Sequence, residues 1–173
     1  MKHLVLLLGA LCIAASHASA GTPSAETVIS QAKSKASAEQ KAIFVHFGAS
    51  WCGWCKRLDA FLERPDVKPV FEKYFIPVKL VVQESDKNKG LENQGADALL
   101  KNFGGPAGLP YSAFLDAKGA LIVNSKRNGE NIGYPAQPEE IGHFLQMMKQ
   151  AAPKMSEDDL KSIETALKSF KKT

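Results

Sequence analysis

The chain has 173 residues, 45% of them hydrophobic, with 22 Lys plus Arg against 18 Asp plus Glu and a formal net charge of +4. That length suits one domain with its own core and does not comfortably hold two. The basic excess is spread along several segments. Its densest cluster, Lys168, Lys171 and Lys172, reads as dipole compensation at a helix end, which argues against nucleic-acid or anionic-membrane binding as the main role.

Lys2 and His3 precede an apolar run from Leu4 to Ala15, and Ala18-Ser19-Ala20 reads as a small-residue cleavage site before Gly21. The run is shorter than the ~20 apolar residues a membrane span takes, and no later segment is long enough. Leu11 stands where a lipoprotein needs a small residue ahead of its cysteine, so Cys12 is expected to leave with the leader. The expectation is a cleaved signal peptide over 1–20, a periplasmic or secreted protein, and a single domain over 21–173 with no stable membrane insertion.

Behind Thr22-Pro23, the residues Ala25, Val28, Ile29, Ala32 and Ala36 recur at helical spacing. Ile43 to Phe47 is continuously apolar, as in a central strand buried on both faces. A helix follows from Gly53 to Glu63, then a short one marked by Val67, Val70, Phe71 and Phe75, then a strand from Ile76 to Val82. Residues 83–94 are polar and aperiodic and read as an exposed loop. Ala96, Leu99, Leu100 and Phe103 form a helical face ended by Gly104-Gly105. Leu109 to Asp116 and Ala120 to Val123 bracket Ala117-Lys118-Gly119 as an antiparallel hairpin. Residues 128–137, rich in Gly, Asn and Pro, read as a surface loop. Ile141, Phe144, Leu145 and Met148 give one more helix. A last helix over 156–171 starts at Ser156 and carries the stripe Leu160, Ile163, Leu167 and Phe170. The pattern is an α/β domain with a central mixed sheet flanked by helices and an extra C-terminal helix.

The chemistry is concentrated in Trp51-Cys52-Gly53-Trp54-Cys55, where a strand runs into a helix. At a helix N-terminus, unpaired N–H groups and the helix dipole favour negative charge. Thiolate is the reactive form of cysteine, so that position activates Cys52. Cys55 lies a turn later, on the side of Leu58 and Leu62, and should be the less exposed sulfur. C-x-x-C is also half of a common zinc site. With Cys12 removed, however, only His46 and His143 remain to complete one, and the strand-to-helix context fits a dithiol redox centre.

With this motif, the chain resembles the thioredoxin-like family. The resemblance rests on Phe47 to Lys56, on Phe61 to Leu80 with its Pro65-Asp66-Val67, and on Gly108-Leu109-Pro110 ahead of the hairpin. It is similar to small secreted bacterial members with W-C-G-W-C and to the periplasmic C-terminal domain of the transmembrane disulfide reductase. The resemblance implies that Cys52 attacks, that Cys55 resolves, and that Pro110 is the cis-proline beside the motif, whose loop pairs with an extended substrate. A trans turn proline is the alternative at 110. Leu109 occupies a position the family uses to tune reactivity. Trp51, Gly53 and Trp54 complete the substrate-facing motif, with Trp51 expected to pack over Cys52 and Trp54 to be exposed.

His46 departs from the family, which often has a buried aspartate there to move the resolving thiol's proton. Two readings stand side by side, a neutral imidazole in that role and a core histidine with no catalytic part. The functional expectation is a thiol–disulfide oxidoreductase, with reduction favoured over oxidation. It would act as a monomer on protein thiols or disulfides with a redox-recycling protein, needing no metal and no cofactor beyond the Cys52–Cys55 disulfide. The alternative is a partner-binding module with little redox turnover, using Trp54 and the 83–94 loop. A metal carrier built on Cys52, Cys55 and His46 is a third.

Overall fold

A computed structural model gives the fold and describes residues 21–105 and 108–169. The expected leader with Cys12, and the end of the last stripe at Phe170, lie outside the described residues. The elements run α1 (Ala25–Glu39), β1 (Ala42–Gly48), α2 (Gly53–Leu62), α3 (Lys68–Glu72), β2 (Phe75–Val81), α4 (Ala96–Asn102), β3 (Tyr111–Leu115) and β4 (Leu121–Asn124). A two-stranded ribbon follows, β5 (Lys126–Arg127) and β6 (Glu130–Asn131), and then α5 (Pro138–Ala151) and α6 (Glu157–Ser169).

The main sheet has the order β2-β1-β3-β4. β2 runs parallel to β1, with His46 opposite Lys79; β3 runs antiparallel to β1, with His46 opposite Ser112. β1 is buried along its whole length, which is why its sequence lacks alternation. Alternate residues still face opposite layers. Ile43, Val45 and Phe47 join one core with Ala32 and Ala36 of α1 and Leu100 of α4. Phe44 joins the other with Leu58, Phe61, Phe71, Phe114 and Phe144. His46 and Gly48 share the parity of Phe44 and therefore sit on the α2 side of the sheet.

α6 contributes Ile163, Ala166 and Leu167 to that second core, so it is part of the body. Asp159 fastens its first turn, accepting from Lys73 Nζ at 2.8 Å and from Tyr74 Oη at 2.6 Å, while Ser156 Oγ caps the Asp159 N–H.

Two segments differ from the sequence expectation. Residues 83–94 carry a 3-10 turn (Asp86–Leu91) and are anchored by buried Glu84 and Asn93. Residues 128–137 are not simply a surface loop. Asn128 and Gly129, at φ 53° and 88°, form the tight turn of the β5–β6 ribbon, and Tyr134 beyond it is buried. Among the described residues, no helix is long and apolar enough to cross a membrane.

Candidate active site

β1 ends at Gly48, where the chain passes the motif closely. A Cβ at residue 48 would fall 3.1 Å from Cys55 Cβ and 3.2 Å from its Sγ. The backbone turns through Ala49 and Ser50, and Cys52 becomes the N-cap of α2, its Sγ accepting the Cys55 N–H at 3.1 Å. The two cysteines are joined in a disulfide. Cys52 is 5% exposed and Cys55 is fully buried, as their places on the helix predict. On reduction, the Cys52 sulfur remains at the helix start, next to a donated N–H and the positive end of the dipole. Both favour its thiolate.

The Leu109–Pro110 peptide bond is cis, and Leu109 packs against Cys52 and Cys55. Gly53 has open space around its α-carbon and borders solvent. Trp54 is 44% exposed and stacks on buried Tyr134, with ring centroids 5.8 Å apart and planes 17° apart. The Arg57 guanidinium lies 5.7 Å from the Trp54 ring and 5.1 Å from Tyr134, at cation–π range. Trp51 was expected to pack over Cys52. It is 59% exposed, and its indole N–H donates to Gln83 O at 2.8 Å.

That contact belongs to a clasp the sequence did not reveal. The Glu84 carboxylate, on a residue 6% exposed, accepts from Ser50 N–H through Oε1 and from Ser50 Oγ through Oε2 at 2.7 Å. The Glu84 N–H in turn donates to Glu92 Oε1 at 2.8 Å. The 83–94 loop therefore grips the two residues just before Cys52. Only a polar segment of low periodicity was visible in the sequence, and the partners lie more than thirty positions apart.

His46 is buried beneath α2, but its bonded partner is Asp59. Nε2 lies 2.8 Å from Asp59 Oδ1, and Asp59 Oδ2 accepts from Lys79 Nζ at 2.5 Å. Burial opposes the charge on Asp59, yet the hydrogen bonds from His46 and Lys79 outweigh it and hold the carboxyl below its ordinary range. An ionised Asp59 only accepts, which places a proton on His46 Nε2 and makes Nδ1 the atom open to a second one. Nδ1 is buried without a hydrogen-bond partner among the described residues. A cleft of about 300 Å³ lined by His46, Asp59, Glu63, Phe71 and Lys79 lies on the outer side of this chain of groups. Among the described residues, no three His, Cys, Asp or Glu side chains are grouped to hold a metal ion.

A sheet of this order with a disulfide at the start of α2 and a cis-proline loop packed on it defines a thioredoxin-type dithiol site. The thioredoxin-like family model matches residues 24–117, and the chain belongs to that family. The fold is similar to the disulphide isomerase from Xylella fastidiosa Temecula1, at 22% identity, with 88% of this chain and 91% of that chain covered and a TM-score of 0.50. The oxidised C-terminal domain of DsbD from Neisseria meningitidis is also similar, at 20% identity, with 74% and 99% covered and a TM-score of 0.47. At these identities the likeness is one of fold. No curated protein matches the sequence.

Proposed function

We propose that the protein is a thiol–disulfide oxidoreductase acting on protein disulfides through Cys52 and Cys55, in the reducing direction, outside the cytoplasm. The observation that carries this reading is the placing of Cys52: capping α2, bridged to a fully buried Cys55, with Leu109 of the cis-proline loop packed on the pair. The direction rests on the resemblance to the reductase domain, and the compartment on the leader-like N-terminus.

In the reduced protein, the Cys52 thiolate attacks one sulfur of a substrate disulfide. A new S–S bond forms to Cys52 as the substrate bond breaks, and the second substrate sulfur leaves as a thiolate and takes up a proton. Cys55 then loses its proton and attacks Cys52 Sγ. The internal disulfide closes, and the first substrate sulfur departs as a thiol. Two electrons pass to the substrate, with one proton from Cys55 by way of His46 and one from solvent, and a partner dithiol restores the reduced pair. His46 takes the Cys55 proton in this reading, since it lies on the same face of β1 as Gly48, which borders Cys55. Trp54, Gly53 and Leu109-Pro110 border the docking substrate.

The test is turnover of a protein disulfide with a small dithiol as recharging reductant, together with the reduction potential of the pair. Turnover lost in Cys52→Ser, with a potential close to the ~−270 mV of strong reductants, supports the proposal; a potential near the ~−120 mV of oxidants reverses its direction. Peptide binding that persists without turnover in the wild type would favour the binding-module alternative.

A further inference from the structure

The segment after β4 touches both rims of the site at once. Ser125, fully buried, exchanges two backbone bonds with its surroundings: its N–H donates to Ser112 O at 2.8 Å, and its carbonyl accepts from Ile132 N–H at 2.9 Å. Its Oγ accepts from Ser112 N–H at 2.9 Å and donates to Asn131 Oδ1 at 2.7 Å. Asn131 Nδ2 then donates to Gly108 O at 2.9 Å and to Pro110 O at 3.0 Å. One amide thus spends its acceptor on Ser125 and both donors on the loop. The carbonyls it holds are those on either side of Leu109, the residue packed against Cys52 and Cys55. Three positions further on, Tyr134 supports Trp54 from below.

The register of the ribbon fixes Asn131 in this place. Lys126 pairs with Asn131 and Arg127 with Glu130 across the Asn128-Gly129 turn, so the amide is delivered by a paired ribbon. Gly108 approaches it at φ 89°, a conformation in which side chains are strained.

We propose that Asn131 is a positioning residue for exchange with extended protein disulfides: it sets the Gly108–Pro110 backbone at the height where a substrate strand docks beside Cys52. This rests on the oxidoreductase reading and adds to it a determinant of substrate class. A small disulfide needs only the sulfur of Cys52, whereas a polypeptide must also lie along the loop. Loosening the loop therefore penalises the polypeptide more.

Two variants separate this from a general loss of structure. Asn131→Asp keeps the acceptor for Ser125 but turns an oxygen toward two carbonyls, and Asn131→Ala removes the contacts without adding repulsion. Each reduced variant is assayed with a synthetic peptide carrying an intermolecular disulfide and with hydroxyethyl disulfide. The peptide's kcat/KM is expected to fall about tenfold, mainly through KM, with a loss at least about threefold smaller for hydroxyethyl disulfide. Equal losses on both probes, or an unchanged peptide KM, would overturn the role of Asn131. Wild-type protein inert toward both probes would instead overturn the oxidoreductase reading itself.

Discussion

His46 and Asp59 face each other between β1 and α2, 2.8 Å apart, and Asp59 lies one helical turn beyond Cys55. If His46 Nδ1 receives the Cys55 proton, His46→Ala slows resolution of the mixed disulfide by about tenfold, below the usual ~10²–10⁴-fold of general acid–base assistance because a thiol needs less help. The first attack by Cys52 changes less, because the start of α2 supplies its activation. His46→Asp places a second carboxyl beside Asp59, and two like charges so close keep one of them a stronger base. Part of the rate returns. Stopped-flow separation of the two steps checks this; equal resolution rates in wild type and His46→Ala would leave His46 as a packing residue. At this scale, what the sequence showed was local. Cys52, Cys55 and Trp54 stand in a short motif whose geometry follows from a helix start, and Pro110 was read from the family resemblance. Asp59, Glu84 and Asn131 act through partners 13, 34 and 23 positions away, a separation that no local pattern encodes. Only the fold brings them to the site.

α6 shows an element whose stripe was legible but whose attachment was not. Leu160, Ile163 and Leu167 marked its apolar face, and Ile163 and Leu167 are buried against α3 and α5. The polar latch at its start could not be foreseen, since Lys73 and Tyr74 reach it from 86 and 85 positions away. Hydrogen bonds from Lys73 and Tyr74 hold the Asp159 carboxyl at about 2, below its ordinary 3.8. A depressed carboxyl stabilises the folded state above its unfolded value, and that contribution is lost as pH falls through the folded value. Wild-type stability should therefore decline between 3.8 and about 2 through this group. Asp159→Asn should be less stable near neutrality and show a shallower decline over the same window. Urea midpoints measured against pH check this, and parallel curves for the two proteins would contradict it. The β5–β6 ribbon is the opposite case. Its Asn-Gly turn is a strong hairpin signal, but two-residue strands of Lys-Arg and Glu-Asn give no apolar alternation to accompany it.

Across the whole molecule, the sheet is the part most fully read in advance. The unbroken apolar run of β1 announced a strand covered on both faces, and the helical stripes announced the layers that cover it. The two connections that close around the site were missed because buried Glu84 and Ser125 are held by partners distant in sequence or in strands too short to show alternation, and composition reads such polar segments as loop. The arrangement that results has a sulfur held at a helix start, a second sulfur sealed behind it, and clasps from residues 83–94 and 125–134 on either side. In the proposed function, such a site forms one covalent bond with a partner at Cys52 and releases it through Cys55. The most direct measurement is covalent trapping. Reduced Cys55→Ser, mixed with a disulfide-containing protein, should accumulate a stable mixed disulfide through Cys52, identifiable by peptide mass mapping, while Cys52→Ser accumulates none. Trapping by Cys52→Ser through Cys55, or by neither variant, would contradict the account.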